Sequence, residues 1–327
     1  MSTRCIVLPV VIMFSCLANL AAQPVAAVDS IRNLQLFQTI RSGDVTKLQA
    51  LLKQGASSNA KLNGYSAVMA AALNGTVEEM KILLDNGADP NYFNQDSISA
   101  IWLAVPDYAK TSLLINAGAN VQQVSREKSS VLLKLAAIPG SAALMQLLID
   151  KGCDPLHSGP ANDLMYNAAL SGDTAIVGLL LRKGVSAKDS SSLGDYPVNA
   201  ATNYRCFNTL QLLVENGADV NASPKHGILP LFAGVTPLMW AAVSNDKSSF
   251  YYLLKHGADA KAKSPRGYTT LMFLAMSEED DPEMTMALIE RGASPAAKAF
   301  DETDALHHAQ LKGNTKSVAI LKKYISK

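Results

Sequence analysis

The chain has 327 residues, 48% of them hydrophobic, 6% aromatic and 17% charged, with a formal net charge of +1. Apolar residues are too frequent for a disordered chain, and no apolar stretch of about 18 residues recurs, which excludes a polytopic membrane protein. The near-neutral balance offers no basic face, so a general nucleic-acid binder is excluded as well.

The first element reads as an address. Residues Cys5 to Ala22, CIVLPVVIMFSCLANLAA, follow a single positive charge at Arg4. A basic start, an apolar centre and small residues at the end predict a secretory signal peptide over residues 1–27, cut after Val25-Ala26-Ala27 or, as a second choice, at Ala22. Two other readings stay open. One is an uncleaved anchor, although the segment is short for a span and Pro9 and Asn19 interrupt it. The other is a lipid anchor at Cys16, for which Phe14 is a poor neighbour. Cleavage after Ala27 removes Arg4, Cys5 and Cys16 and no acid, leaving a balanced charge and two cysteines, Cys153 and Cys206. Two thiols make no disulfide scaffold, and both are expected to be free. An export segment with so little cysteine points to the periplasm of a Gram-negative cell. Residues 28–33 read as a short linker, and residues 34–327 as the domain.

From there one unit recurs. An apolar helix ending in glycine appears as LLKQGAS at Gly55, ILLDNGADPN at Gly87, LLINAGANV at Gly118 and LLIDKGCDP at Gly152. It continues as LLLRKGVS at Gly184, LLVENGADVN at Gly217, LLKHGADAK at Gly257 and LIERGASP at Gly292, and a ninth unit at 301–325 closes the chain. The gaps between glycines are 32, 31, 34, 32, 33, 40 and 35 residues. Each glycine falls where a helix ends in a left-handed turn that disfavours a β-carbon. Upstream of the glycines, SAVMAAALNG, TPLMWAAVSN and TTLMFLAMS predict a second, thinner helix. The pairs Ala71-Ala72, Ala136-Ala137, Ala168-Ala169 and Ala241-Ala242 would let its partner lie close. Met80, Leu83, Leu84 and Phe250, Leu253, Leu254 set apolar groups on one helix face.

These residues resemble the ankyrin repeat, with its TPLH-type helix start, Ala-Ala pair, second apolar helix and Gly-Ala-Asp turn; the best match is Gly234 to Ala262. The resemblance implies an all-α solenoid of about nine helix-turn-helix repeats with short finger loops. It also implies binding through finger tips and the concave side of the first helices. Matched by position, the tips include Tyr65, Phe93, Asp195, Phe232 and Tyr268, and the groove includes Asn74, Ser171, Asn203 and Ser244. Aromatic anchors beside a polar groove suit protein recognition, although Tyr65 and Tyr268 could equally cover the helix starts beside them. Trp102 and Trp240 read as core.

Departures from the repeat are the next candidates. The 40-residue gap inserts Ile228, Leu229, Pro230, Leu231 and Phe232 into a finger, either as a contact surface or folded back over the groove. Glu278, Glu279, Asp280, Asp281 and Glu283 lack calcium-loop spacing and read as a solvated turn. The third unit is shortened near Pro106, and the fourth carries Pro139-Gly140. The lysines of the last unit, among them Lys316, Lys322 and Lys323, read as a solvated cap.

Catalytic and metal motifs do not appear. His157, His226, His256, His307 and His308 are scattered, and His307 occupies the resembling family's His slot, with a role in fixing the helix start. Ser125 to Lys128 has a Ser-x-x-Lys spacing without that enzyme class's other motifs. No cofactor is expected. The expectation is an exported, non-enzymatic, monomeric scaffold for another protein. By resemblance to exported bacterial ankyrin proteins, it is an immunity or accessory protein neutralising a secreted toxin such as a lipase. An envelope stress-protection protein, a host-directed effector and an enzyme with a hidden groove site are the alternatives.

Overall fold

The structure is a computed structural model and describes residues 25–156, 161–224 and 233–326. Among them, eighteen helices form nine antiparallel pairs. The first three pairs are α1 (Val25–Ser42) with α2 (Val45–Lys53), α3 (Ala67–Asn74) with α4 (Val77–Asp85), and α5 (Ala100–Ala104) with α6 (Tyr108–Asn116). Next come α7 (Val131–Ala136) with α8 (Ala142–Asp150), α9 (Ala161–Ser171) with α10 (Thr174–Arg182), and α11 (Pro197–Asn203) with α12 (Phe207–Glu215). The array ends with α13 (Pro237–Val243) and α14 (Lys247–Lys255), α15 (Thr270–Ala275) and α16 (Pro282–Glu290), and α17 (Ala305–Lys312) and α18 (Thr315–Ile325). Sheet is confined to the fingers: β1 (Lys61–Leu62) pairs antiparallel with β2 (Tyr65–Ser66), and single bridges such as Phe93 to Ser99 and Lys263 to Thr269 close others.

Local chemistry sets these boundaries. All eight predicted glycines adopt the left-handed conformation, with φ between 81° and 96°. After each, the next backbone N–H returns to a carbonyl five residues back, as Ala56 does to Leu51 at 2.9 Å. At the other ends, Ser66 Oγ accepts from the Met69 N–H at 3.3 Å, and Thr236 caps a helix whose first residue is Pro237.

First helices stack on first helices and second on second, and the first helices stand closer together, so the array curves toward their side. One buried apolar cluster runs through it from Leu36 to Leu321. No unit could bury that surface alone, so stability is the sum of units and their interfaces. At the base, side chains rivet neighbouring units. The Asn91 amide donates to Gly118 O at 3.0 Å while its oxygen accepts from the Asn120 N–H at 2.7 Å. Asn59 and Asn221 repeat the clamp. Asn91→Ala is expected to lower stability by about 1–2 kcal/mol, read as a lower denaturation midpoint with unchanged slope.

In the packing of its units the structure departs from the sequence expectation at three places. Residues 28–33, expected as a linker, lie inside α1. No glycine or proline interrupts the chain between Val25 and Ser42, so the helix propagates. Ala137 is an exposed C-cap, and the closely packed pair of the fourth unit is Leu135-Ala136, which holds the third and fourth places from the start of α7's buried face. The acidic turn is a clasp between units. Asp280 accepts from the backbone N–H groups of Lys316 and Ser317 at 2.7 and 3.0 Å and from Ser317 Oγ at 2.6 Å. It thereby caps α18, whose own N-cap, Asn314, makes no capping bond. Asp281 caps α16 and pairs with Lys247 at 2.7 Å, Glu279 accepts from Asn245, and Glu278 pairs with Lys312.

This clasp gives the last unit an acid sensitivity. Burial alone would raise Asp280, but its bonds from Ser317 and Lys316 hold the carboxyl below its ordinary value; Lys247 and the Met284 N–H do the same for Asp281. Folded values below the unfolded value of about 4 mean that the stabilisation is complete above that pH and is lost as pH falls through the depressed values. Asp280→Ala is expected to cost about 2 kcal/mol. Faster amide exchange confined to α17 and α18 would register the loss, and the variant's penalty should shrink below about pH 4.

Candidate functional site

The candidate face comprises the fingers and the C-terminal ends of the first helices, where side chains reach solvent. Asn74 and Asn203 are exposed at the ends of α3 and α11, and Ser171 and Ser244 are half-buried at the ends of α9 and α13. Phe93 is exposed on its finger. Tyr65 and Tyr268 are half-buried and pack against the core. The Tyr268 hydroxyl donates to Asp301, whose carboxyl is held down at about 2 by bonds from Thr303 and Tyr268. Asp195 bonds Tyr166, and burial raises the Asp195 carboxyl. Burial and the neighbouring Asp195 push the Tyr166 phenol up to about 12. Ile228, Leu229, Leu231 and Phe232 of the insertion lie outside the described residues, as do Cys16, His157 and His226.

Sequence reasoning missed the most exposed apolar groups. Phe300 is 81% exposed and Leu193 60% on fingers, and Leu311 is 72% and Tyr204 61% exposed at first-helix ends. Leu73 joins them. The signal was present: Leu73 and Leu311 each stand two residues before a glycine, Gly75 and Gly313, in the register that marked Asn74 as groove.

His307 does not fix its helix start through its ring. It is exposed, whereas the residues in the same slot of other units, Met69, Met239 and Met272, are fully buried. His308 bonds Thr303 Oγ1 at 3.1 Å instead, and Asp304 caps α17 through the His307 backbone N–H at 2.8 Å. In the sixth unit Asn199 fills that slot, and its amide donates to Val235 O of the next unit at 2.8 Å.

Among the described residues, no group of three or more His, Cys, Asp or Glu side chains could hold a metal, and no helix is long and apolar enough to cross a membrane. Cys153 and Cys206 are both free thiols; burial pushes Cys153 up to about 12, so it is a poor nucleophile, and its Sγ donates to Val121 O at 3.2 Å.

A stacked helical array with a solvent-facing row of fingers defines a repeat scaffold for protein–protein contact. The model for ankyrin repeats matches residues 36–125, 132–224, 164–264 and 238–327, and the chain belongs to the ankyrin repeat family. It is 30% identical to a fowlpox virus ankyrin repeat protein over 123 residues, 37% of this chain and 30% of that protein. It is 24% identical over 300 residues to the ankyrin repeat and KH domain-containing protein mask-1 of Caenorhabditis elegans, covering 80% of this chain and 11% of the relative. A bovine mitochondrial disaggregase is 27% identical over 134 residues, 39% of this chain and 20% of its own length. The matched segments thus span less than a third of each of these relatives.

Proposed function

We propose that this chain is an exported, non-enzymatic scaffold that grips another protein between its fingers and first helices. The observation carrying the proposal is the row of exposed apolar side chains on that face, Leu73, Phe93, Leu193, Tyr204 and Phe300, on a fold whose core is otherwise closed. Aromatic groups held on a rigid support lose little freedom on binding and supply most of the energy of such contacts. Export rests on the basic-apolar-small segment of residues 1–27, and the low cysteine content beside it supports the periplasm as the compartment. The partner we assign is a secreted toxin such as a lipase, neutralised by a preformed surface laid over its active site; this assignment rests on the resemblance to exported bacterial ankyrin proteins.

Affinity capture from a periplasmic extract, followed by a lipase assay on the captured complex, tests both levels. A stoichiometric protein complex with hydrolysis suppressed is the expected result. A partner whose activity is unchanged or raised would overturn the immunity role, and turnover by the purified chain alone would overturn the scaffold.

A further inference from the structure

The third and fourth units are the least closely stacked, because α5 and α7 make the sparsest contact of any adjacent first helices. The cause is local. Pro106 follows Val105 directly and Asp107 already caps α6, so α5 has only five residues. Trp102 is the third residue after its N-cap, the slot in which Met69, Met239 and Met272 are fully buried. Here the next unit stands off, and Trp102 is only partly buried. Its carbonyl would normally accept from residue 106, but proline has no N–H. The Lys134 ammonium of α7 takes that place, 2.8 Å from Trp102 O and 4.3 Å from the indole centroid. Burial lowers the Lys134 ammonium below its ordinary value.

A cleft of 680 Å³ opens at this junction, with Ile98 and Trp102 as its apolar walls and Ser125 and Ser129 as hydroxyl neighbours. Around them stand Arg126, Asp96 and Glu127; with Lys134 against the indole, the charges balance. The two fingers that form it are tied by the Arg126 N–H to Asp96 O at 2.8 Å, so the cleft is preformed. Phe93 and Val124, both exposed on these same fingers, extend the apolar surface beyond it.

We propose that this cleft is the anchor pocket of the binding face and takes one uncharged aromatic or aliphatic side chain, with its flanking peptide, from the protein partner. The proposal rests on the scaffold reading above and names the place where the partner is held. The volume falls within the range of about 300–1,000 Å³ typical of ligand pockets. Balanced charge disfavours a strongly acidic or basic insert, and the serine hydroxyls and the Arg126 guanidinium offer partners to peptide amides. The free face of Trp102 offers the large apolar contact on which hot spots depend.

Trp240→Phe leaves Trp102 as the only indole of the two in the chain. In that background, N-acetyl-L-phenylalaninamide is titrated while the Trp102 indole N–H resonance and fluorescence are followed, with the aspartate and lysine analogues in parallel. A saturable shift with a Kd on the order of 1–10 mM is expected, at least about tenfold weaker for the charged analogues because their ionised groups must be desolvated. Ser129→Trp, which fills the cleft, should abolish the indole N–H shift at Trp102. Ile98→Ala, which removes one wall, should weaken binding several-fold with unchanged far-UV dichroism. No saturable shift, equal binding after either substitution, or preference for a charged analogue would overturn the pocket. If the probe fails while partner capture still depends on Phe93 and Tyr204, the pocket is wrong and the scaffold reading stands.

Discussion

Phe250→Ala is expected to destabilise the array by about 3–5 kcal/mol, the cost of a cavity left by a large buried ring. Phe250 is fully buried in α14, stands edge-on to Tyr251 at 5.3 Å between centroids, and belongs to the cluster that joins the seventh unit to its neighbours. Stability in a stack is divided among units and interfaces, so the loss should also reduce cooperativity. Denaturant unfolding followed by far-UV dichroism should broaden or split, with amide exchange fastest in α13 and α14. A loss under about 1 kcal/mol with an unchanged transition would show that the seventh unit is not held by this seam.

Gly234→Ala is expected to cost a similar amount by a different route. Gly234 has φ +74°, and a β-carbon there would stand 2.1 Å from Pro265 Cδ, inside a ring that cannot swing away. Its N–H donates to Pro224 O at 2.7 Å, tying together the two ends of the segment that carries the insertion. Left-handed strain and the collision together should cost about 3–5 kcal/mol. Gly118→Ala is the control: its φ is +84°, but nothing lies within 4 Å of the added carbon, so strain alone should cost about 1–2 kcal/mol. Midpoints for the two variants that coincide would remove the Pro265 contact from the account.

The repeat was legible because its signals are local. A helix that ends in a left-handed turn needs glycine at that place, and eight such glycines announced eight turns. What stayed hidden depends on groups about thirty residues apart. Asp280 looked solvated because its partners, Lys316 and Ser317, belong to the next unit. Lys134 gave no sign that it replaces the N–H missing from Pro106. His307 carried the right residue type for its slot, but its ring is exposed, and the neighbouring His308 makes the bond to Thr303. Ala137 was misassigned because the fourth unit places Leu135 where other units place the first alanine of the pair, which shifts the apparent motif by one residue.

The face itself was only partly legible. Asn74 and Asn203 could be placed by counting from the repeat, whereas the exposure of Phe300 and Tyr204 depends on which neighbours fail to cover them. Chain pattern gives the position of a side chain along a unit, and stacking decides whether it meets protein or water.

Isothermal titration of the captured partner against surface variants tests the central claim most directly. Phe93→Ser and Tyr204→Ser, on the finger and first-helix side, should each weaken binding by about 10- to 100-fold, the effect of losing one hot-spot side chain. Lys81→Ala and Lys255→Ala, on the second helices α4 and α14, should leave affinity within about twofold, as substitutions outside a contact do. The reverse pattern, with the second-helix variants abolishing binding and the finger variants neutral, would contradict the account.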